Sequence, residues 1–528
     1  MSDLAVWGEH VAPYSGDSAT VDGFRDLANT AVGALLSNAV NENRVMAVQK
    51  SLDLEMELRL SLNLFLSTPP TAKRVAIVQG GFSAEFRKDL FGAAAGLGVR
   101  LVILDHDGHW SQDREDLREF FLPIDMTVDA GLAMRIVGAV RGLELAMDGI
   151  TTFADQYLPA TAEAAVLLGL PGEPKDAFNK CVDKYLFRND TGCARTISTS
   201  TEARTLSADI VYPQILKPVS GAGSADVYIA LDAHEMLSVS SRMFASGIAA
   251  VLVEPYVGGP EVDVNVVLQA GHVIFCEVND DFPKSAECST YHGPSTFQET
   301  LNVLPSRLPV EEQDLLRAEA HAALQRLGFA SGIFHVEARV RNSRMRYEQD
   351  PYSGILDLRR EAVSAHAIQA PAEVYLIEVN ARPPGLQWST ATMLAYGVDF
   401  QALQLLIACN DTVSVRTMST PFRVPGYPLE HWSAFFLPVV RGGEYWGGDL
   451  FKLLEQRRPY LSQHIFEPAF FFRNGDQIKD PTSGRQMFLG SCLIKDASRQ
   501  QLLAIEKKIR KELTAYAQQS ILSAGSRP

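Results

Sequence analysis

YLIEVNARPPG, residues 375–385, places Glu378, Asn380 and Arg382 at alternate positions. In an extended strand successive side chains point to opposite faces, so these three share one face while Ile377, Val379 and Ala381 share the other. A carboxylate and an amide oxygen at this spacing suit a hard divalent cation such as Mg2+. A guanidinium one step further suits a phosphate or an oxyanion. Upstream, GIFHVEARV, residues 332–340, reads as a second strand with a matching acid, Glu337, and with His335 and Arg339 on the same face. Two strands with one acid each make a candidate metal pair.

Working outward, ILKPVSGAGSADV (215–227) sets Lys217 at a strand end before a loop whose Gly221 and Gly223 let backbone N–H groups approach a ligand closely. Lysine with a small-residue loop points to phosphate, although Gly/Ser loops are also common turns. VLVEPYVGGPEVDVNVV (251–267) follows, a strand and linker able to present the backbone of Glu254–Val257 to an adenine edge and carboxylates to an amine or to ribose hydroxyls.

The 528 residues exceed what one core accommodates, and 46% hydrophobic, 21% charged and 9% aromatic content is that of a folded enzyme. A formal charge of −15, from 63 acids and 48 bases, disfavours a nucleic-acid partner, because phosphate contacts need clustered Lys and Arg. The N-terminus has neither a basic nor an apolar leader region, and no window reaches the ~18 apolar residues of a membrane span. A cytoplasmic protein without a membrane partner is expected. Cys181, Cys193, Cys276, Cys288, Cys409 and Cys492 are scattered, which suggests neither a disulfide framework nor a thiolate metal site.

The spacing of apolar runs predicts an N-terminal extension over 1–72, with a helix-like stretch from Ala31 to Leu66, and then an α/β domain over 73–173 opened by a βαβ unit. A small lid module with antiparallel character (174–259), a central sheet module (260–412) and a C-terminal α+β domain (413–528) follow. An insert at 343–371, charged and bearing Pro351 and Gly354, is far longer than a hairpin needs and reads as an excursion outside the core that can be trimmed without loss of folding.

Taken together, Asp183–Lys184, the Lys217 loop, VEPYVGGPE, HVE and EVNARPPG occur in the order and spacing that resemble the ATP-grasp superfamily over roughly residues 74–412. The Arg382–Gly385 step and GITTFADQYLPATAEAAVLLGLPG (149–172) are similar to the L-amino-acid ligase and carnosine synthase branch of carboxylate–amine ligases. The resemblance implies an ATP-grasp fold with a Rossmann-like first domain, a lid, a central sheet domain and a C-terminal α+β domain. It implies that Lys184 and Lys217 hold ATP phosphates under the loop of Gly221, Gly223 and Ser224. Adenine lies on Glu254, Tyr256 and Val257, and ribose on Glu261. Glu337, Glu378 and Asn380 ligate two Mg2+ ions, for which Mn2+ can substitute, and Arg382 stabilises the transferred phosphate and the tetrahedral intermediate. The implied reaction joins a carboxylate, from an amino acid or small acyl group, to an amino acid by an amide bond through an acyl phosphate, with ADP and phosphate released. The substrates are then small molecules, and a homodimer is compatible with the reading.

Four further residues are candidates for substrate contact. His292 lies in a loop of the central module and reads equally as a surface histidine. His335 shares the face of Glu337. Gly385 offers backbone N–H groups to an oxyanion. Trp388 either walls a side-chain pocket or belongs to the core. QGGFSAE (79–85) is similar to the first strand-turn of D-alanine–D-alanine ligases, but Ser83 reads better as a helix N-cap, and the E-V-N-A-R order departs from the E-V-N-T of those enzymes. Two other readings stay open: a carboxylase-type enzyme, disfavoured because the chain has no biotinylated carrier segment of its own, and a nucleotide-binding regulator without turnover, disfavoured by the intact acid–amide–arginine row.

Overall fold

The computed structural model describes residues 72–189, 194–219, 221, 224–287, 297–361, 370–421, 430–481 and 488–522. The helix-like stretch Ala31–Leu66, Gly223 and His292 lie outside these residues.

Strands β1 (Arg74–Val78), β2 (Arg100–Asp105), β3 (Phe120–Pro123) and β4 (Gly149–Thr151) form a parallel sheet in the order β3-β2-β1-β4. RVAIV is apolar after its first residue because a parallel sheet is covered on both faces. Val75 and Ile77 pack with Leu90 and Phe91 of the helix Lys88–Leu97, whereas Ala76 and Val78 pack with Leu132 and Ile136 of the helix Leu132–Gly142. The chain runs from β1 outward through β2 to β3, then returns to the far side of β1 as β4. The reversal between β1 and β4 leaves a crevice at their carboxyl ends, the place where open α/β sheets bind ligands.

The lid consists of β5 (Arg195–Ile197), β6 (Gln214–Pro218), β7 (Tyr228–Ala230) and β8 (Val251–Pro255), an antiparallel sheet in the order β5-β8-β6-β7. Helices Ser200–Asp209 and Ala233–Ala245 begin at Thr199 and Asp232, whose side chains accept from the N–H of Glu202 and Glu235. With Ile197, Leu216, Val251 and Val253 they make the lid core. Strand alternation turns Ile215, Lys217, Leu252 and Glu254 to the other face.

β9 (Glu261–Gln269), β10 (His272–Asp281), β11 (Leu301–Leu304), β12 (Gly332–Arg341), β13 (Met345–Gln349), β14 (Leu356–Arg360), β15 (Glu373–Asn380) and β16 (His431–Pro438) come next. β17 (Gly443–Tyr445), β18 (Ile465–Phe470), β19 (Gln477–Ile478), β20 (Phe488–Asp496) and β21 (Ile521–Leu522) complete the strands. The central sheet has eight, in the order β15-β12-β9-β10-β11-β16-β20-β18. In β9, Val262, Val264 and Val266 face a core with Leu316, Ala320 and Leu324 of the helix Val310–Leu327, which leaves Glu261, Asp263 and Asn265 to the opposite face.

Two expectations change here. The C-terminal segment is α+β in content, but β16, β18 and β20 extend the central sheet, and only the short strands β19-β17-β21 form a sheet of their own. The reason lies in β16: Trp432, Ala434 and Phe436 enter one core while Phe435 and Leu437 enter another, so the strand is buried on both faces. Nor is the insert an excursion. Within it β13 and β14 pair as a hairpin, with Leu358 fully buried. Asp357 accepts from Arg499 Nε at 2.8 Å at the start of the helix Arg499–Ser520, and Lys507 donates to Gly354 O at 2.8 Å. From the hairpin Tyr347 Oη donates to Asp281 O at 3.1 Å, which ties it to β10 as well.

Among the described residues no single helix is long and apolar enough to cross a membrane.

Candidate active site

β12 and β15 are antiparallel neighbours in which Glu337 lies opposite Glu378 and His335 opposite Asn380. Directly opposed residues point to the same face, so the two acids named by sequence do meet. Asn380 Nδ2 donates to Glu337 Oε1 at 3.3 Å. Burial, then the charge of Glu378, then that of Glu299 push the Glu337 carboxyl up to about 8. Lys184 alone does not offset this penalty. Two carboxylates and an amide oxygen on one face fit a hard divalent cation, since a cation would remove that penalty. Lys184 is ion-paired with Glu378. Just below the acids the ladder carries a bulge: Glu337 opposes Glu378 but Ala338 opposes Leu376, so Ile377 is extra, and its carbonyl accepts from Arg188 Nη2 at 2.9 Å.

The lid supplies the opposite wall. Lys217 Nζ is 2.6 Å from Glu254 Oε1, and Arg188 Nε is 2.8 Å from Glu254 Oε2, all three side chains being buried. The Glu254 carboxylate is therefore held by two cations, and what the Glu254–Val257 segment offers a base edge is its backbone. Tyr256 Oη donates to Glu287 at 2.9 Å, and Arg339 Nη1 donates to Val257 O at 3.2 Å. Arg339 also pairs with Glu261 and Glu287, which fixes the expected ribose acid at the mouth of β9. Gly259, at φ +113, has room for no side chain, since a Cβ there would come within 2.2 Å of Val340 O. Across the loop Gly221 is exposed and Ser224 adopts a positive φ of 54.

At the other end Arg382 Nε donates to Asp155 Oδ2 at 2.8 Å, and its Nη2 lies 3.5 Å from Asn380 Oδ1. His335 Nδ1 is 2.8 Å from Asn265 Oδ1, whose amide nitrogen donates to Glu277 Oε1 at 2.8 Å. That fixes Asn265 Oδ1 as an acceptor, puts the imidazole proton on Nδ1 and leaves Nε2 with its lone pair. Burial and the Arg382 charge push the His335 pKa down to about 3, so the ring is neutral. Trp388 stacks on Phe436 with 4.9 Å between centroids and stands 6.5 Å from His335: it is part of the core and also borders the site. A Cβ on Gly385 would fall 2.9 Å from the Trp388 ring, so this glycine makes space for that packing.

Lys184, Glu378, Glu337, Asn380, Arg382, His335 and Trp388 are thus joined by direct contacts or strand pairing, Lys217 and Glu254 connect to them through Arg188, Tyr256, Val257 and Glu261 gather on Arg339, and Gly385 packs on Trp388. Sequence reading missed several groups there. Asp263, Asp281 and Glu299 bring carboxylate oxygens within 4.8 Å of one another, and Asp263 lies opposite Glu337. Asp263 continues the alternation of Glu261, a period-two signal that was available. Arg188 and Asp155 gave no signal, because their partners are far away in sequence.

Residues 91–172 match the ATP-grasp N-terminal domain and residues 210–352 the ATP-grasp domain. The ATP-grasp enzyme fsqD of Aspergillus fumigatus is 31% identical over 96% of this chain and 91% of its own length. Carnosine synthase 1 of Gallus gallus is 26% identical over 62% of this chain, which is 34% of that longer protein. The structure of an L-amino acid ligase from Bacillus licheniformis superposes with a TM-score of 0.62 at 21% identity, covering 83% of this chain and 97% of that one. With a full-length relative, a lid facing the double-acid strand pair and both domain matches, the chain belongs to the ATP-grasp family.

Proposed function

We propose that the chain is an ATP-dependent carboxylate–amine ligase that joins a carboxylate, from an amino acid or small acyl group, to the amine of an amino acid through an acyl phosphate, with release of ADP and phosphate. The observation that carries this reading is the opposed pair Glu337 and Glu378 with Asn380 and Arg382 on one face of the sheet, with Lys184 paired to Glu378 and Lys217 paired to Glu254 of the lid. Carnosine synthase and the L-amino acid ligase, by their names amide-forming enzymes, support it.

A carboxylate acylates nothing until it takes a phosphoryl group, and that transfer brings two anions together. On this reading Lys184 and Lys217, which pair with Glu378 and Glu254 here, would counter nucleotide phosphates, and Arg382 would meet the charge that develops beyond Asn380. Mg2+, held by Glu337, Glu378 and Asn380, would supply charge neutralisation between the phosphates; Mn2+ has the same preference for oxygen donors. The backbone of Glu254–Val257 would hold adenine, and Glu261 the ribose. An acyl phosphate must be kept from water, which the lid and the loop of Gly221 and Ser224 would do on closing. Neutral His335, with its free Nε2, is no source of a proton near neutral pH. The α-amino group, with a pKa of about 8, is partly unprotonated by itself.

The test is a matrix of carboxylates and amines scored for phosphate release, with mass spectrometry of positive wells. Carboxylate labelled with oxygen-18 should pass one label to the released phosphate. AMP and pyrophosphate as products would overturn the proposal.

A further inference from the structure

Four arginines are buried in the described residues: Arg87, Arg188, Arg339 and Arg499. Three have carboxylate partners: Arg188 has Glu254, Arg339 has Glu261 and Glu287, and Arg499 has Asp280 and Asp357. Arg87 is the exception. It is 6% exposed, has no ion-pair partner among the described residues, and its Nε is buried without a hydrogen bond. Its one polar contact is a weak one, Nη2 to Gln79 Oε1 at 3.4 Å. A buried cation without an anion is costly, and proteins keep one where a ligand supplies the charge.

The surroundings are built for this side chain. The guanidinium carbon lies 5.0 Å from the ring centroid of Phe153 and 5.6 Å from that of Phe86. The turn after β1 bends away through Gln79 at φ 74 and Gly81 at φ 88, and a Cβ on Gly81 would fall 2.5 Å from Arg87 Nε. Ser83 Oγ accepts from the N–H of Phe86 at 3.1 Å, but the N-cap position of the short helix Glu85–Arg87 is Ala84, so Ser83 is not the N-cap read from sequence. Phe153 follows β4, and two residues on, Asp155 binds Arg382. Arg87 therefore stands over the carboxyl ends of β1 and β4, at the reversal of strand order, on the far side of Arg382 from the acid pair. Burial first, and then the Arg382 charge, bring its pKa down to about 10. The charge acting on Arg87 is thus another guanidinium, that of Arg382, whose own partner is Asp155.

We propose that Arg87 binds the carboxylate of the acceptor amino acid, the one that is not activated, in the crevice between β1 and β4. This rests on the ligase reading above. The activated carboxylate must lie by Glu337 and Glu378, whereas the acceptor brings its amine to that carbon and keeps its own carboxylate, which needs a cation beyond Arg382. A guanidinium fork matches it with two parallel hydrogen bonds, and the unused Nε is a donor for one of them.

The test compares each acceptor found active with its C-terminal amide, in wild type and in Arg87→Gln. Wild type should show a KM lower for the acid than for the amide by roughly 10- to 100-fold, the loss typical of a charge-assisted hydrogen bond. Arg87→Gln should raise KM for the acid by a similar factor, leave that for the amide unchanged, and leave KM for ATP unchanged; Arg87→Lys should recover part of the loss. Equal loss for acid and amide would overturn the proposal. Arg87→Met keeps length and ring contact without charge and replaces the Gln variant should that one not fold. Acetate supplies an arm independent of turnover: it should raise the melting temperature of wild type but not of Arg87→Gln, and equal stabilisation of both overturns the assignment. If no amine yields an amide product, the ligase reading fails while the acetate arm still decides on Arg87.

Discussion

The two ends of the cleft carry opposite electrostatic deficits. On the central sheet, among the described residues, Asp263, Asp281, Glu299, Glu337 and Glu378 are offset by only two ammonium groups, those of Lys184 and Lys284. Asp263 is pushed well above the carboxylate range by burial and by Glu299 and Asp281. At the carboxyl ends of β1 and β4 the surplus is positive: Arg87 has no ion-pair partner among the described residues and feels the charge of Arg382, which pairs with Asp155. The same burial that raises an acid lowers a base, so each end favours the ligand that cancels its own excess. On the proposed function, this fold separates metal chemistry from anion recognition along one face, with Asn380 and Arg382 as the link.

Removing charge from the acid end should have the largest consequence. Glu378→Gln is nearly isosteric, so the fold should persist while turnover falls by roughly 1000-fold or more as metal neutralisation is lost; phosphate release at saturating Mg2+ measures it, and activity within a fewfold of wild type would refute the role of Glu378. Removing the link should come next. Arg382→Ala should lower kcat by about 100- to 1000-fold, as for loss of a donor to developing charge, while affinity for a non-hydrolysable ATP analogue, measured by calorimetry, stays within a fewfold. A parallel fall in both would make Arg382 a nucleotide ligand.

A site outside both ends sharpens the contrast by touching stability alone. Leu358→Ala in the hairpin should cost roughly 2–4 kcal/mol through the cavity it leaves, measured by denaturant unfolding, with ATP affinity unchanged; no loss would mean that the hairpin does not pack as described.

The smallest effect expected concerns pH. Glu337 is raised to about 8 from an unfolded value near 4.5, so the native metal-free protein binds this proton more tightly than the unfolded chain does. Its contribution is complete below the unfolded pKa and is lost as pH rises through about 8. The melting temperature of the metal-free protein should fall by roughly a few degrees between about pH 5 and 8, the interval between the two pKa values. The slope should flatten in Glu337→Gln, and stabilisation by Mg2+, which competes with the proton, should grow over the same range. An equal slope in the variant would assign the dependence to other groups.

The acid end was legible because it is written in single strands: Glu378, Asn380 and Arg382 alternate within one run, and Glu337 lies within its neighbour. Period-two spacing survives folding unchanged. The bulge at Ile377 was not legible, since it depends on how two strands register. The positive end was not legible either, because Arg87, Phe153, Asp155 and Arg382 come from separate segments of the chain. Reading β16 as part of a separate domain followed from taking SAFFLPVVRGG (433–443) as alternating apolar and polar; the second core beneath Phe435 and Leu437 is made by residues such as Leu450, Leu454 and Leu513, farther along the chain. The hairpin looked detachable because its anchor, Arg499, lies 142 positions from Asp357.

The short helix Lys184–Asn189 fastens two parts that would otherwise slide past each other. Lys184 grips Glu378, and Arg188 grips both the lid, at Glu254, and the carbonyl of Ile377 on β15, the outermost strand of the central sheet. β15 is one of the two rim strands of the eight, hydrogen-bonded to a neighbour on one side only. If, as proposed, a nucleotide phosphate draws Lys217 away from Glu254, the pull on Arg188 changes, and with it the hold on the strand that carries Glu378. Amide hydrogen exchange at Glu378 and Val379 should slow when an ATP analogue binds wild type; an equal response in Arg188→Met would show that Arg188 carries no load.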